Sequence, residues 1–102
     1  MLASFSVVPV NAGEALSEHV ANILALIDES GLDYRLGAMQ TTIEGDESEV
    51  LGLIMRCHHA MRESFPRVLT SITIDDREGA KGRLTGKIAD VERVLGRELS
   101  HE

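Results

Sequence analysis

The sequence predicts a single α+β domain (102 residues), in which a four-stranded antiparallel sheet is covered on one face by helices. Three observations carry that expectation. Short β-branched runs alternate with segments whose apolar residues recur at helical spacing. Glycine, proline and asparagine punctuate the joins between them. A length of 102 residues fits one core, which at this size buries roughly 60–65% of the unfolded chain's surface without metal or disulfide staples.

The elements follow in order. Residues 2–10 (LASFSVVPV) form a β-branched and apolar run ended by Pro9 and Asn11, a first strand. Asn11 and Glu14 stand at capping-box spacing before Leu16, Val20, Ile23, Leu24 and Ile27, one face of a helix that Gly31 stops. Residues 34–44 hold two short extended pieces around Gly37 and Ala38, a hairpin or sharply bent strand pair. After the turn at Gly45, Asp46 or Ser48 caps a second helix with Val50, Ile54, Cys57, His58, Met61 and Phe65 on one face; Pro66 blocks its continuation. Residues 67–75 (RVLTSITID) are the clearest strand, and Leu84, Ile88, Val91, Leu95 and Leu99 mark a third helix.

The order is therefore β-α-β-β-α-β plus a C-terminal helix. Right-handed crossovers place both crossover helices on one side of the sheet and give strand order 4-1-3-2, the ferredoxin-like split sandwich. Successive strand side chains alternate between faces. Ala3, Phe5, Val7, Thr41, Ile43, Ile72 and Ile74 then belong under the helices. Ser4, Ser6, Gln40, Thr42, Glu44, Ser71, Thr73 and Asp75 collect on the open face. A polar open face is what water contact alone selects. It also suits a polar cradle for a ligand, or a surface on which a second sheet stacks.

Composition excludes several functions. A formal charge of −7, from 17 acidic and 10 basic side chains, repels phosphate backbones and anionic lipid, so neither nucleic acid nor a membrane is an expected partner. The apolar first ten residues lack a basic leader and are broken by Ser4 and Ser6, which argues against a signal peptide or span. One cysteine, Cys57, cannot form an internal disulfide and points to a reducing, cytoplasmic setting.

No catalytic, cofactor or metal site is expected. Cys57, His58 and His59 are consecutive, so on a helix they point about 100° apart and do not converge on one ion. The Gly82–Lys87 stretch has three residues between its glycines where a phosphate loop has four, and Ile88 follows the lysine where Ser or Thr is required. Arg77, Lys81, Arg83 and Lys87 make a basic edge, read as solvated or as a weak anion site. Asp75 and Asp76 face opposite sides of a strand and do not form an acid/base dyad. Acylphosphatase-like chemistry needs an arginine-bearing cradle after the first strand, and residues 11–14 carry no arginine.

Four segments, in order along the chain, resemble one family. Met39-Gln40-Thr41-Thr42-Ile43-Glu44-Gly45 is similar to the M-x-T-x-(I/V/L)-E-G signature of the YkoF-related small thiamine-binding proteins. Val7-Val8-Pro9, Cys57-His58-x-Ala60, and Arg67-Val68 leading to Ile72-x-Ile74-Asp75-Asp76-Arg77 resemble that family too. The resemblance implies a ferredoxin-like fold, a homodimer or homotetramer, and binding of thiamine or its hydroxymethylpyrimidine moiety without catalysis. It carries Thr41, Thr42 and Glu44 over as ligand residues, with Gln40 beside them; the open-face argument adds Ser6, Thr73 and Asp75. Carboxylates and hydroxyls match the donors and acceptors of an aminopyrimidine, and Phe5 and Tyr34 are the rings available to stack on it. The expected role is a carrier, sensor or buffer. The alternative is a ligand-free regulatory or structural module whose sheet face and third helix serve assembly.

Overall fold

A computed structural model describes residues 1–11, 16–79 and 84. Its elements are β1 (Leu2–Pro9), α1 (Leu16–Glu29), β2 (Asp33–Leu36), β3 (Thr41–Glu44), α2 (Glu47–Ser64) and β4 (Val68–Asp75). The strands form one antiparallel sheet in the order β2-β3-β1-β4, the order expected of the ferredoxin-like sandwich. The expected third helix, Leu84 excepted, and most of the basic edge lie outside the described residues.

The register fixes the faces. Ala3 pairs with Ile43 and Ile74, and Phe5 with Thr41 and Ile72, so all six side chains share the helix-facing side. Both helices pack there. Ile23 and Ile27 of α1 meet Val50, Leu53, Ile54, Cys57 and Met61 of α2 over Ala3, Phe5 and Ile43. Each of those α2 residues is 2% exposed or less, so one turn after another of a single helix supplies the centre of the core.

The helix ends follow from local chemistry. Ser30 Oγ donates to the Ile27 carbonyl (2.6 Å) and accepts from the Leu32 N–H (3.2 Å), while Gly31 takes φ 78°, which closes α1. Asp46 holds the N-cap position of α2, as expected, yet its carboxylate makes no capping bond. Its main-chain carbonyl accepts from the Val50 N–H at 2.9 Å, and Glu47 and Glu49 place negative charge at the positive end of the helix dipole. α2 stops at Ser64, ahead of Pro66.

Two expectations are corrected. Asn11 adopts φ 58°, the left-handed region, whereas an N-cap is extended; it acts as a turn residue, and residues 12–15 lie outside the description. Ile72 and Ile74 are on the helix-facing side but remain 41% and 46% exposed. α2 leans over β1, and its reach toward β4 ends at His58 Nδ1, 2.7 Å from Thr70 Oγ1. The outer half of β4 therefore has no described helix above it.

Candidate functional site

A cleft of about 360 Å³ opens between α1 and the sheet, at the end where the β2–β3 hairpin turns. Its helical wall is Leu16, Val20, Ile23, Leu24 and Ile27, and Met61 of α2 lies at its base. The sheet side is Phe5 to Val8 of β1 with Thr41, and the mouth is formed by Leu36, Gly37, Met39 and Gln40.

Its origin is a mismatch of strand lengths. β1 has eight residues and β3 has four, so β1 pairs with β3 only from Leu2 to Phe5. Beyond Phe5 the hairpin has already turned: the Gly37 N–H donates to the Gln40 carbonyl at 2.9 Å, leaving Ala38 and Met39 as turn residues. The second half of β1 is therefore held by β4 on one side and borders open space on the other.

Among the described residues, no side chain lining the cleft is ionisable. The described walls are aliphatic, aromatic and thioether groups with the Thr41 hydroxyl on the same face; Ser6 borders the cleft but points to the open face by register, where the Gln40 side chain bonds Ser4. Such a lining accepts a flat, neutral, partly apolar molecule. A permanent cation buried there without a partner would be strongly disfavoured.

The expected site residues separate into two groups. Ser6, Gln40 and Thr41 border the cleft. Thr42, Glu44, Thr73 and Asp75 lie further along the sheet, with Thr42 and Thr73 flanking Ser4 and with Glu44 and Asp75 flanking Leu2. Four residues of strand, or about 13 Å, separate Glu44 from Gln40. Gln40 Oε1 accepts from Ser4 Oγ at 2.7 Å, which ties the hairpin end to β1. Glu44 Oε1 accepts from the Leu84 N–H at 3.3 Å, so the chain beyond β4 returns to the strand that carries the signature glutamate. Gly45, which closes that signature, lies against Leu32: a Cβ there would stand 2.9 Å from Leu32 Cδ2 and would require that side chain to shift.

Of the two rings considered for stacking, Phe5 borders the cleft and Tyr34 does not. The Tyr34 hydroxyl donates to Asp28 Oδ1 at 2.6 Å, and that hydrogen bond and charge raise its pKa. Cys57 is fully buried, and burial pushes its thiol up to about 11, against a smaller opposing pull from Arg56. It is protonated at neutral pH and packs as a small hydrophobe. Among the described residues no three His, Cys, Asp or Glu side chains group closely enough to hold a metal, and no helix is long and apolar enough to cross a membrane.

The α1 side of the cleft is what sequence reasoning missed. Its apolar stripe is legible as one face of a helix, but that periodicity does not distinguish a wall of a cleft from a sealed core face. The available signal was the unequal length of the first strand and the hairpin strands.

Fold and cleft together define a small ferredoxin-like domain with a pocket between its first helix and its sheet. The chain belongs to the thiamine-binding protein family, whose sequence profile matches residues 3–92. A UPF0045 protein of Mycobacterium bovis is 39% identical over 96 residues, spanning 93% of this chain and 94% of that one. The UPF0045 protein YqgV of Bacillus subtilis is 31% identical over 100 residues, spanning 92% and 96%. Among solved structures, a hypothetical protein of Methanocaldococcus jannaschii superposes with a TM-score of 0.79 at 26% identity, covering 88% of this chain and 93% of that one. A Thermotoga maritima protein proposed to act in thiamine biosynthesis or salvage superposes with a TM-score of 0.76, covering 88% and 96%; at 22% identity it speaks for the fold alone.

Proposed function

We propose that the protein binds the aminopyrimidine half of thiamine in this cleft, as free hydroxymethylpyrimidine or as part of thiamine, and serves as a cytoplasmic carrier, sensor or buffer and not as an enzyme. Membership of the thiamine-binding family supports the ligand class. The observation that carries the reading is the cleft, whose described lining carries no charge and whose volume of about 360 Å³ falls at the small end of ligand pockets. A neutral pyrimidine fits such walls. The cationic thiazolium fits better outside, facing a chain of formal charge −7.

Titration calorimetry with hydroxymethylpyrimidine and with thiamine tests this. Both are expected to bind, within about tenfold of each other, because the buried half is shared. Thr41→Val is expected to weaken both, and Glu44→Gln to leave both nearly unchanged. Loss of binding in Glu44→Gln with full binding in Thr41→Val would move the site to the open face. Absence of heat and of any thermal shift with either ligand would remove the proposal.

A second feature supports assembly into homodimers or homotetramers. β4 is an edge strand of eight residues that carries neither lysine nor proline, and its Leu69, Ile72 and Ile74 are exposed. Edges of that kind are ordinarily blunted by charge or covered. Pairing of β4 with a second copy would cover this one. Light scattering is expected to give a multiple of the chain mass, and Leu69→Lys with Ile72→Lys to give the monomer. A wild-type protein that is monomeric at the highest attainable concentration refutes this.

A further inference from the structure

The sheet has a gap in its hydrogen bonding, and the gap lies in the cleft. Met1 and Gly45 exchange both main-chain bonds, Met1 N to Gly45 O at 2.9 Å and Gly45 N to Met1 O at 3.1 Å. In an antiparallel ladder, alternate residues bond to the same neighbour. Met1, Ala3 and Phe5 therefore bond toward β3, as does Val7 by position. The even-numbered residues bond toward β4, and the Val10 N–H donating to the Arg67 carbonyl at 2.9 Å continues that set. By this register the strand partner of Val7 would be Met39. Met39 lies in the hairpin turn and is 88% exposed, and the β1–β3 pairing stops at Phe5 with Thr41. The N–H and C=O of Val7 thus point into the cleft, with no strand opposite among the described residues. The next residue of that parity is Pro9, which has no N–H to leave unpaired and so suits a strand margin without a ladder.

We infer that the main-chain N–H and C=O of Val7 are the recognition element of the cleft, reading a planar ring whose edge carries an acceptor beside a donor. This rests on the aminopyrimidine reading above and deepens it. The Val7 N–H would donate to a ring nitrogen, and the exocyclic amino group would donate to the Val7 carbonyl, so that the ring edge replaces the missing strand. Phe5 and Met61 supply apolar surface beside it. Selectivity follows from the order of donor and acceptor. A 4-oxo analogue, with a ring N–H and a carbonyl in those places, sets donor against donor and acceptor against acceptor.

The test uses the full chain labelled with ¹⁵N. Before any ligand is added, amide exchange is expected to be slow at Phe5 and fast at Val7; protection at Val7 equal to that at Phe5 overturns the inference. On titration with hydroxymethylpyrimidine or thiamine, the Val7 amide is expected to move downfield and its exchange to slow. Oxythiamine, the 4-oxo analogue, is expected to bind at least ~10-fold more weakly than thiamine, since mismatched buried polar groups each carry a desolvation penalty. If both natural ligands bind while the Val7 amide stays unmoved, or if oxythiamine binds as tightly as thiamine, this inference falls and the proposed function stands. If none of the three binds, both fall.

Discussion

Val20→Trp is expected to abolish detectable binding of hydroxymethylpyrimidine while leaving the fold intact. Val20 projects from α1 into the cleft and is 39% exposed, so a larger side chain there has space that no core atom occupies. An indole is a two-ring aromatic of large contact area, and in a cleft of about 360 Å³ it covers the apolar wall that a ligand ring would contact. Because the added surface lies against Leu16, Ile23 and Leu24, it replaces ligand contacts with protein contacts. Each factor of ten in affinity corresponds to about 1.4 kcal/mol, and loss of a buried ring should exceed that. The expected result is an affinity at least ~10-fold weaker by calorimetry, together with a melting temperature equal to or above that of the wild type. Wild-type affinity in this variant would mean that the ligand lies elsewhere.

The cleft shows where sequence reading succeeds and where it stops. Alternation placed Ala3, Phe5, Ile43, Ile72 and Ile74 on one face and Ser4, Ser6, Thr42, Glu44 and Thr73 on the other, because a period of two leaves no freedom once a strand is recognised. Strand order followed from the element order by the handedness of crossovers. Burial within a face is a different quantity. The stripe Leu16, Val20, Ile23, Leu24 and Ile27 has one periodicity whether it seals against a sheet or stands off from it, and only Ile23 and Ile27 are buried. Ile72 and Ile74 obey the pattern of a covered strand and are exposed because α2 stops short of them.

Contacts distant in sequence were less legible still. Glu44 is singled out by the signature it belongs to, yet it also accepts from the main chain of Leu84, forty residues further on. Asn11 had the spacing of a cap but takes a backbone conformation no cap uses. Both cases turn on where the chain goes after leaving a strand, which local periodicity does not encode.

The largest effect on stability is expected from Ile54→Ala. Ile54 is fully buried, one of five α2 side chains at the centre of the core, and it does not border the cleft. Truncating it removes apolar surface and leaves a cavity that the facing strands, fixed by the register of Ala3 with Ile43, cannot collapse to fill. Such substitutions cost about 2–5 kcal/mol, against a total of roughly 5–15 kcal/mol for a domain. At this length each kcal/mol lowers the melting temperature by roughly 4–8 °C, so a fall of at least ~10 °C is expected. Met55 provides the control. It is the next residue on the same helix, is 43% exposed, and Met55→Ala should stay within about 1 kcal/mol of wild type. Ligand affinity per folded molecule should be unchanged in both variants, since neither position touches the cleft. Equal losses of stability in the two would mean that α2 packs with a different face toward the sheet. That would displace Met61 from the base of the cleft and take the binding site with it.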